Sequence, residues 1–164
     1  MQIAIVLYHD NTALNVLGPY EILKMMPGSE VRFVASAPGP VTTDRGILVV
    51  GATHSFDETP KPDIVLIPGS EAHTGVAAAE GERSTWLRRG HETTRVTASV
   101  CSGAGILAAA DLPLNKPATT HWAAMDVIQK LGATPQPSQR IVRAGRVWTA
   151  AGESAGIDLA IAII

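Results

Sequence analysis

The sequence predicts an α/β fold in which a mainly parallel sheet is covered by helices on both faces. Short apolar runs recur at residues 2–8 (QIAIVLY), 31–37 (VRFVASA) and 63–67 (DIVLI), and residues 96–100 (VTASV) return to a strand. Such runs lack the polar alternation of a half-exposed sheet and read as strands buried on both sides. Segments of helical character separate them, and alternating strands and helices make a parallel sheet. The length of 164 residues suits one domain with a sizeable core and falls short of two.

Taken in order, residues 2–8 form the first strand. Residues 14–26 read as a helix once Gly18-Pro19 is passed, because proline fits a first turn and Ile22, Leu23 and Met26 share a face. Residues 41–43 and 47–50 read as a hairpin or edge extension about the turn Asp44-Arg45-Gly46. The strand at 63–67 stops at Pro68-Gly69-Ser70. Residues 80–94 give a polar helix with Trp86 and Leu87, and residues 103–112 an Ala-rich one. Residues 120–131 are expected to form an amphipathic helix with Trp122, Met125, Ile128 and Leu131 on one side, ended by Gly132. Residues 140–142 and 147–150 flank a turn at Ala144-Gly145. Residues 155–164 (AGIDLAIAII) open like a buried helix and end without cap or glycine stop. Residues 1–164 are therefore expected to be a single domain truncated at its C-terminus.

In folds of this class ligands sit beyond the carboxyl ends of the strands. The loop after Tyr8, the Pro68-Gly69-Ser70 turn and the turn at Cys101 should therefore converge. Cys101 is the only cysteine, set in TASVCSGAGIL between a strand and a helix with no loop between them. Ser99-x-Cys101-x-Gly103 has the small-x-nucleophile-x-small pattern of a nucleophile elbow, where bulky neighbours would clash. A thiol at a helix N-terminus is favoured as thiolate. A reactive thiol of this kind is expected to lie below the ordinary thiol pKa of about 8.5. Against this stands the bland reading of a buried structural cysteine. Ser102 would cap the following helix or bind a ligand beside the thiol. Backbone N–H groups of Gly69, Ser70 and Ser102 would form an oxyanion site.

Composition narrows the classes. The chain is 46% hydrophobic and 17% charged, with net charge −2, which fits a globular protein and offers no basic run for nucleic acid. One cysteine excludes an intrachain disulfide and a cysteine-rich zinc site, and fits a reducing cytosol. The N-terminus lacks a signal peptide or membrane span, so a cytoplasmic location is expected.

The motifs ALNVLGPYE at residues 13–21, IPG at 67–69, SVCSG at 99–103, ATTHW at 118–122 and AGESAGID at 151–158 resemble the ThiJ/PfpI superfamily, relatives of class I glutamine amidotransferases. The likeness is to its isonitrile hydratase-like branch, which includes free-standing enzymes and N-terminal sensor domains of AraC-type transcriptional regulators. The resemblance spans the whole chain. It implies a flavodoxin-like three-layer sandwich, a homodimer, no cofactor, and a reactive Cys101 in a pocket with Gly18 and His121 for a small-molecule substrate or effector. In that branch the cysteine attacks an isocyanide carbon, and water releases the thioimidate as an N-formamide, with the help of a nearby acid.

Two positions depart from the branch. Asn15 stands where the resemblance implies an acid paired with the cysteine; an amide keeps hydrogen-bond geometry but carries no exchangeable acid proton at ordinary pH. Glu153 stands where an apolar residue is usual, and it would replace the missing acid if partly desolvated. The competing reading puts Glu153 in the first turn of the last helix, held by the dipole. In ATTHW, Thr119 and Thr120 are expected to cap the helix that His121 opens, with His121 supporting the site rather than acting as general base. His9, Asp10 and Asn11 are expected near the pocket mouth. His54, His73 and His91 show no ligand spacing, so no metal is expected, and Trp86, Trp122 and Trp148 read as core or interface anchors. No Cys-His-acid triad is readable. Two functions follow from the resemblance and its departures: a cysteine-dependent isocyanide hydratase, or a sensor domain that keeps the pocket without catalysis and does not itself bind nucleic acid.

Overall fold

The computed structural model describes residues 1–71, 81–112, 114 and 116–164. His73, and the expected helix start at residue 80, lie outside the described residues. In chain order the elements are β1 (Gln2–Val6), α1 (Ala13–Leu23), β2 (Glu30–Ala35), β3 (Gly39–Thr42), β4 (Val49–Ala52), β5 (His54–Ser55), β6 (Ile64–Ile67), α2 (Glu82–His91), β7 (Val96–Val100), α3 (Gly103–Ala109), β8 (Pro117–Ala118), α4 (Met125–Lys130), β9 (Thr134–Pro135), β10 (Ile141–Ala144), β11 (Val147–Ala150) and α5 (Ala155–Ile163).

The main sheet has seven strands in the order β10-β11-β7-β6-β1-β2-β5, parallel except for the β10–β11 hairpin. Period-two alternation splits β1 between two cores. Ile3, Ile5 and Leu7 pack with Val16, Leu23, Val100, Cys101 and Leu159 on the side of α1 and α5. Ala4 and Val6 pack with Val65, Ile67, Leu87 and Leu107 on the side of α2 and α3. The strand runs imply the mainly parallel sheet covered on both faces, and the result is the three-layer flavodoxin-like sandwich that the resemblance implies. No helix of the described residues is long and apolar enough to cross a membrane.

Several local expectations are corrected. Helix α1 begins at Ala13, so Pro19 lies in its interior rather than its first turn. Proline has no N–H, and the ladder bond from position 19 to the Asn15 carbonyl is missing. A Cβ on Gly18 would meet Ile157 Cγ1 at 3.0 Å, so this glycine lets α1 and α5 approach. The hairpin is shifted from its expected position, with Val41 opposite Val50 and with Ile47 and Val49 exposed. The β10–β11 turn lies at Gly145-Arg146, because Ala144 still pairs with Val147. The amphipathic helix expected from residue 120 is replaced by a 3-10 turn at Trp122–Ala124 followed by α4. Thr119 and Thr120 are tied to the sheet instead: Thr149 Oγ1 accepts from the Thr119 N–H at 2.9 Å, and Thr120 Oγ1 donates to the Cys101 carbonyl at 2.7 Å. An extended segment so held cannot coil, and the helical phase begins later. Ile128 is fully buried as expected, whereas Trp122 is 79% exposed and is no core anchor. Trp86 is one, buried against Phe56 with its Nε1 donating to the Thr59 carbonyl.

Among the described glycines, Gly103 at the turn into α3 has the closest neighbours. A Cβ on Gly103 would lie 2.5 Å from the Ile67 carbonyl oxygen and 3.0 Å from that of Pro68. Backbone on both sides leaves nothing to yield cheaply. Gly103→Ala is therefore expected to destabilise the protein by about 2 kcal/mol, within the overpacking range, read as a lower urea midpoint with unchanged slope.

Candidate active site

The three loops predicted to converge do so. Asn11 and Ser70 form an isolated antiparallel bridge, Ser70 Oγ donates to the Asp10 carbonyl at 2.7 Å, and the Thr12 N–H donates to the Gly69 carbonyl at 2.9 Å. Ser102 joins the third loop, its Oγ accepting from the Ser70 N–H and donating to the Ser70 carbonyl, both at 2.9 Å. This corrects two expectations. The Ser102 hydroxyl does not cap α3, although Ser102 holds the N-cap position, because it is spent on Ser70. The Ser70 N–H, in turn, is directed at that hydroxyl rather than at an oxyanion.

Cys101 has φ +58°, a left-handed conformation that a side chain adopts only when its surroundings enforce it. They do so from three sides. The Cys101 N–H donates to the Ala150 carbonyl at 3.1 Å, and Thr120 holds its carbonyl. Gly69 lies so close that a Cβ there would sit 2.6 Å from Ser102 N and 2.8 Å from Cys101 Cβ. The elbow read from the sequence is thus present in the backbone itself.

The thiol is 4% exposed. Burial pushes its pKa up from the ordinary value, opposed by the Ser102 N–H and then by the Asn15 amide, while the Glu153 charge pushes it up further. The net direction is upward, the reverse of the sequence expectation. A buried site costs the anion more than one N–H and an amide return. Cys101 at neutral pH is a thiol that holds its proton.

Asn15 is fully buried, and among the described residues neither its Oδ1 nor its Nδ2 finds a hydrogen-bond partner. Its amide dipole favours the thiolate without completing a conventional hydrogen bond to the sulfur. Glu153 is exposed, and its carboxylate acts on Cys101 as a charge. It precedes the N-cap Ser154, and its carbonyl accepts from the Gly156 N–H at 3.2 Å. His121 takes the cap that was expected of the threonines: its Nδ1 accepts from the Ala123 N–H at 3.3 Å. Among the described residues no cluster of three or more His, Cys, Asp or Glu could hold a metal.

Two residues were missed. Tyr8 ends the first apolar run, and its hydroxyl donates to the Pro68 carbonyl at 2.7 Å while Arg83 lies 5.1 Å from its ring. Burial drives the phenol far above its usual value. Its place at a strand's carboxyl end was the available signal. Ser99, fully buried one pleat before the elbow with an Oγ that meets no partner among the described residues, is the second.

The DJ-1/PfpI family model matches residues 1–164. The chain belongs to the DJ-1/PfpI family. It is 35% identical over 163 residues to an isonitrile hydratase of Pseudomonas putida, covering 99% of this chain and 70% of that protein. A crystal structure of a ThiJ/PfpI family protein from Pseudomonas syringae superposes with a TM-score of 0.91 at 30% identity, over 99% of this chain. The chain spans 66% of the length of that protein. Drosophila melanogaster DJ-1beta shares the fold, with a TM-score of 0.86 at 16% identity over 99% of this chain and 87% of its own. This DJ-1/PfpI chain therefore combines its family's sandwich with a cysteine elbow and an amide beside the thiol.

The electrostatics set a pH dependence. The native state keeps the Cys101 proton to higher pH than the unfolded chain does. The associated stability is complete below the ordinary thiol value, about 8.5, and is lost as pH rises above it. Cys101→Ala should remove that slope from urea midpoints measured between neutral and alkaline pH. Iodoacetamide should label Cys101 more slowly than a free thiol at pH 7.5. Glu153→Gln should speed labelling by no more than about threefold, a gain that salt suppresses because the carboxylate is exposed.

Proposed function

We propose that this chain is a cysteine-dependent hydratase of isonitrile hydratase type, which converts an isocyanide and water into an N-formamide through a covalent adduct on Cys101. The observation that carries the reading is the enforced φ of +58° at Cys101, which stations a lone thiol at the head of α3 in a strained backbone conformation. The kinship with the Pseudomonas putida isonitrile hydratase supports the same chemistry.

A protonated thiol suits this reaction. The S–H adds across the terminal carbon of the isocyanide, so that a C–S bond forms, the thiol proton ends on that carbon, and a thioimidate C=N results. Water then adds to the C=N carbon, one proton going to nitrogen. The C–S bond breaks, and the hydroxyl proton of the adduct returns to sulfur as the formamide carbonyl forms. Atoms balance without a cofactor. Asn15 can orient the nitrogen or the water through its amide but cannot pass a proton between them. The proton transfers therefore fall to water, and the intrinsic rate should be low. In this reading the working protein is a cytoplasmic homodimer.

The same amide favours a second reading. A buried Asn15 beside the thiol, both of whose polar atoms meet no partner among the described residues, fits a sensor of the AraC-regulator type, which captures its small ligand and does not turn it over.

Incubation with an aryl isocyanide separates the two. Many N-formamides per chain, abolished by Cys101→Ala, support the hydratase; formation no faster than with Cys101→Ala refutes it. One adduct per chain by intact mass, with no formamide released, supports the sensor. Under the hydratase reading Asn15→Asp restores a proton carrier and should raise turnover at least about tenfold, toward the usual contribution of general acid–base catalysis.

A further inference from the structure

The seven-stranded sheet ends on β10, and the outer side of that strand is open. The Ala151 N–H donates to the Arg140 carbonyl, and Val142 and Ala144 stand opposite Thr149 and Val147. Hydrogen-bonded residues alternate along an antiparallel pair, so residues 140, 142 and 144 bond toward β11. The N–H and C=O groups of Ile141 and Arg143 therefore point outward, and among the described residues no hydrogen bond reaches them. The chain after β8 meets this edge at Gln139, whose carbonyl accepts from Thr119 Oγ1 at 3.0 Å. Beside it lies a groove of about 300 Å³, walled by Pro117, Gln136, Gln139, Ile141, Val142 and Arg143. Pro117 has no N–H with which to pair the strand itself. Free backbone groups along an edge are a template for a further strand.

Charge selects that strand. The chain carries net charge −2, yet residues 116–149 hold Lys116, Lys130, Arg140, Arg143 and Arg146 against Asp126 alone. Arg140 is paired with Asp158. Arg143 is exposed, lies 4.3 Å from the Trp148 ring centroid, and meets no carboxylate among the described residues. Arg146 donates to the carbonyls of Glu92 and Thr94, neutral groups that leave its charge uncompensated. Lys116 Nζ lies at the turn of the same hairpin, 3.9 Å from where a Gly145 Cβ would sit. A second copy laid on this edge would set two basic hairpins side by side, which opposes self-pairing. A strand that bears carboxylates is the complementary partner.

We propose that the open edge of β10 docks an extended acidic segment of another protein, which pairs its backbone with Ile141 and Arg143 and sets a carboxylate against the Arg143 guanidinium. The site lies on the hairpin, and its occupancy is independent of turnover at Cys101.

A capped, fluorophore-labelled peptide of alternating glutamate and valine is the probe, titrated into the full chain and read by anisotropy. Saturable one-site binding is expected, with a lysine–valine peptide of the same length at least about tenfold weaker from loss of the charge-assisted pair. The glutamate–valine peptide N-methylated at every residue keeps its charge but cannot pair a strand edge, and it should bind more weakly by a similar factor. Arg143→Glu should have the same effect in a chain whose circular dichroism is unchanged. Absence of saturation, equal binding of the lysine peptide, undiminished binding of the N-methylated peptide, or retention of affinity in Arg143→Glu each overturns the proposal. A concentration-dependent dimer that the peptide dissociates overturns it as well, and assigns the edge to a second copy.

Discussion

Cys101 sits where a strand must become a helix within a single residue, and the surrounding structure is arranged to hold that turn. Its left-handed φ is disfavoured for any residue with a side chain. What compensates is contact from every direction: β6 delivers the Ile67 and Pro68 carbonyls to the flank of Gly103, Gly69 lies against Cys101 Cβ, and Thr120 and Ala150 secure the backbone. Removing any one of these leaves the others to bear the strain. The glycines at 69 and 103 have the same origin, since a single methyl at either would collide with backbone.

The elbow also decides the electrostatics of the thiol. Placing the sulfur at the head of α3 points the Ser102 N–H toward it, which favours the anion. Seating the same sulfur between α1 and α5 removes water, which disfavours the anion more strongly. The Asn15 amide adds support of a dipole where a carboxyl would add a proton. The resting state is a neutral thiol beside an amide, and any chemistry there starts from S–H rather than from S⁻. Proline at position 19 belongs to the same region, since it removes the ladder bond to the Asn15 carbonyl and packs beside Gly156 under α5.

Around the elbow the loops are tied to each other rather than to solvent. Ser102 binds the Ser70 backbone in both senses, Ser70 reaches Asp10, and Tyr8 reaches Pro68. Tyr8 thereby ties the end of β1 to the turn that follows β6. This follows from parallel topology, which gathers the carboxyl ends of β1, β2, β6 and β7 at one edge of the sheet.

The central strands β1, β2, β6 and β7, the cover of the sheet on both faces and the elbow were legible in the sequence because each depends on local pattern: apolar runs such as IVLI, and a cysteine flanked by small residues between strand and helix. The convergence of three loops was legible as well, since it follows from strand order in a fold of this class. Four features were decided only by tertiary structure. Thr120 pairs with Cys101 instead of capping a helix, Ser102 pairs with Ser70, Gly18 serves helix packing, and Trp122 faces solvent. In each case a residue with two available roles took the one offered by a partner far away in the chain. The direction of the Cys101 pKa belongs with them. Sequence places a thiol at a helix N-terminus, which lowers it, but burial is set by how α1 and α5 close over the site. Desolvation is a property of the packed core, and it outweighs the local donors.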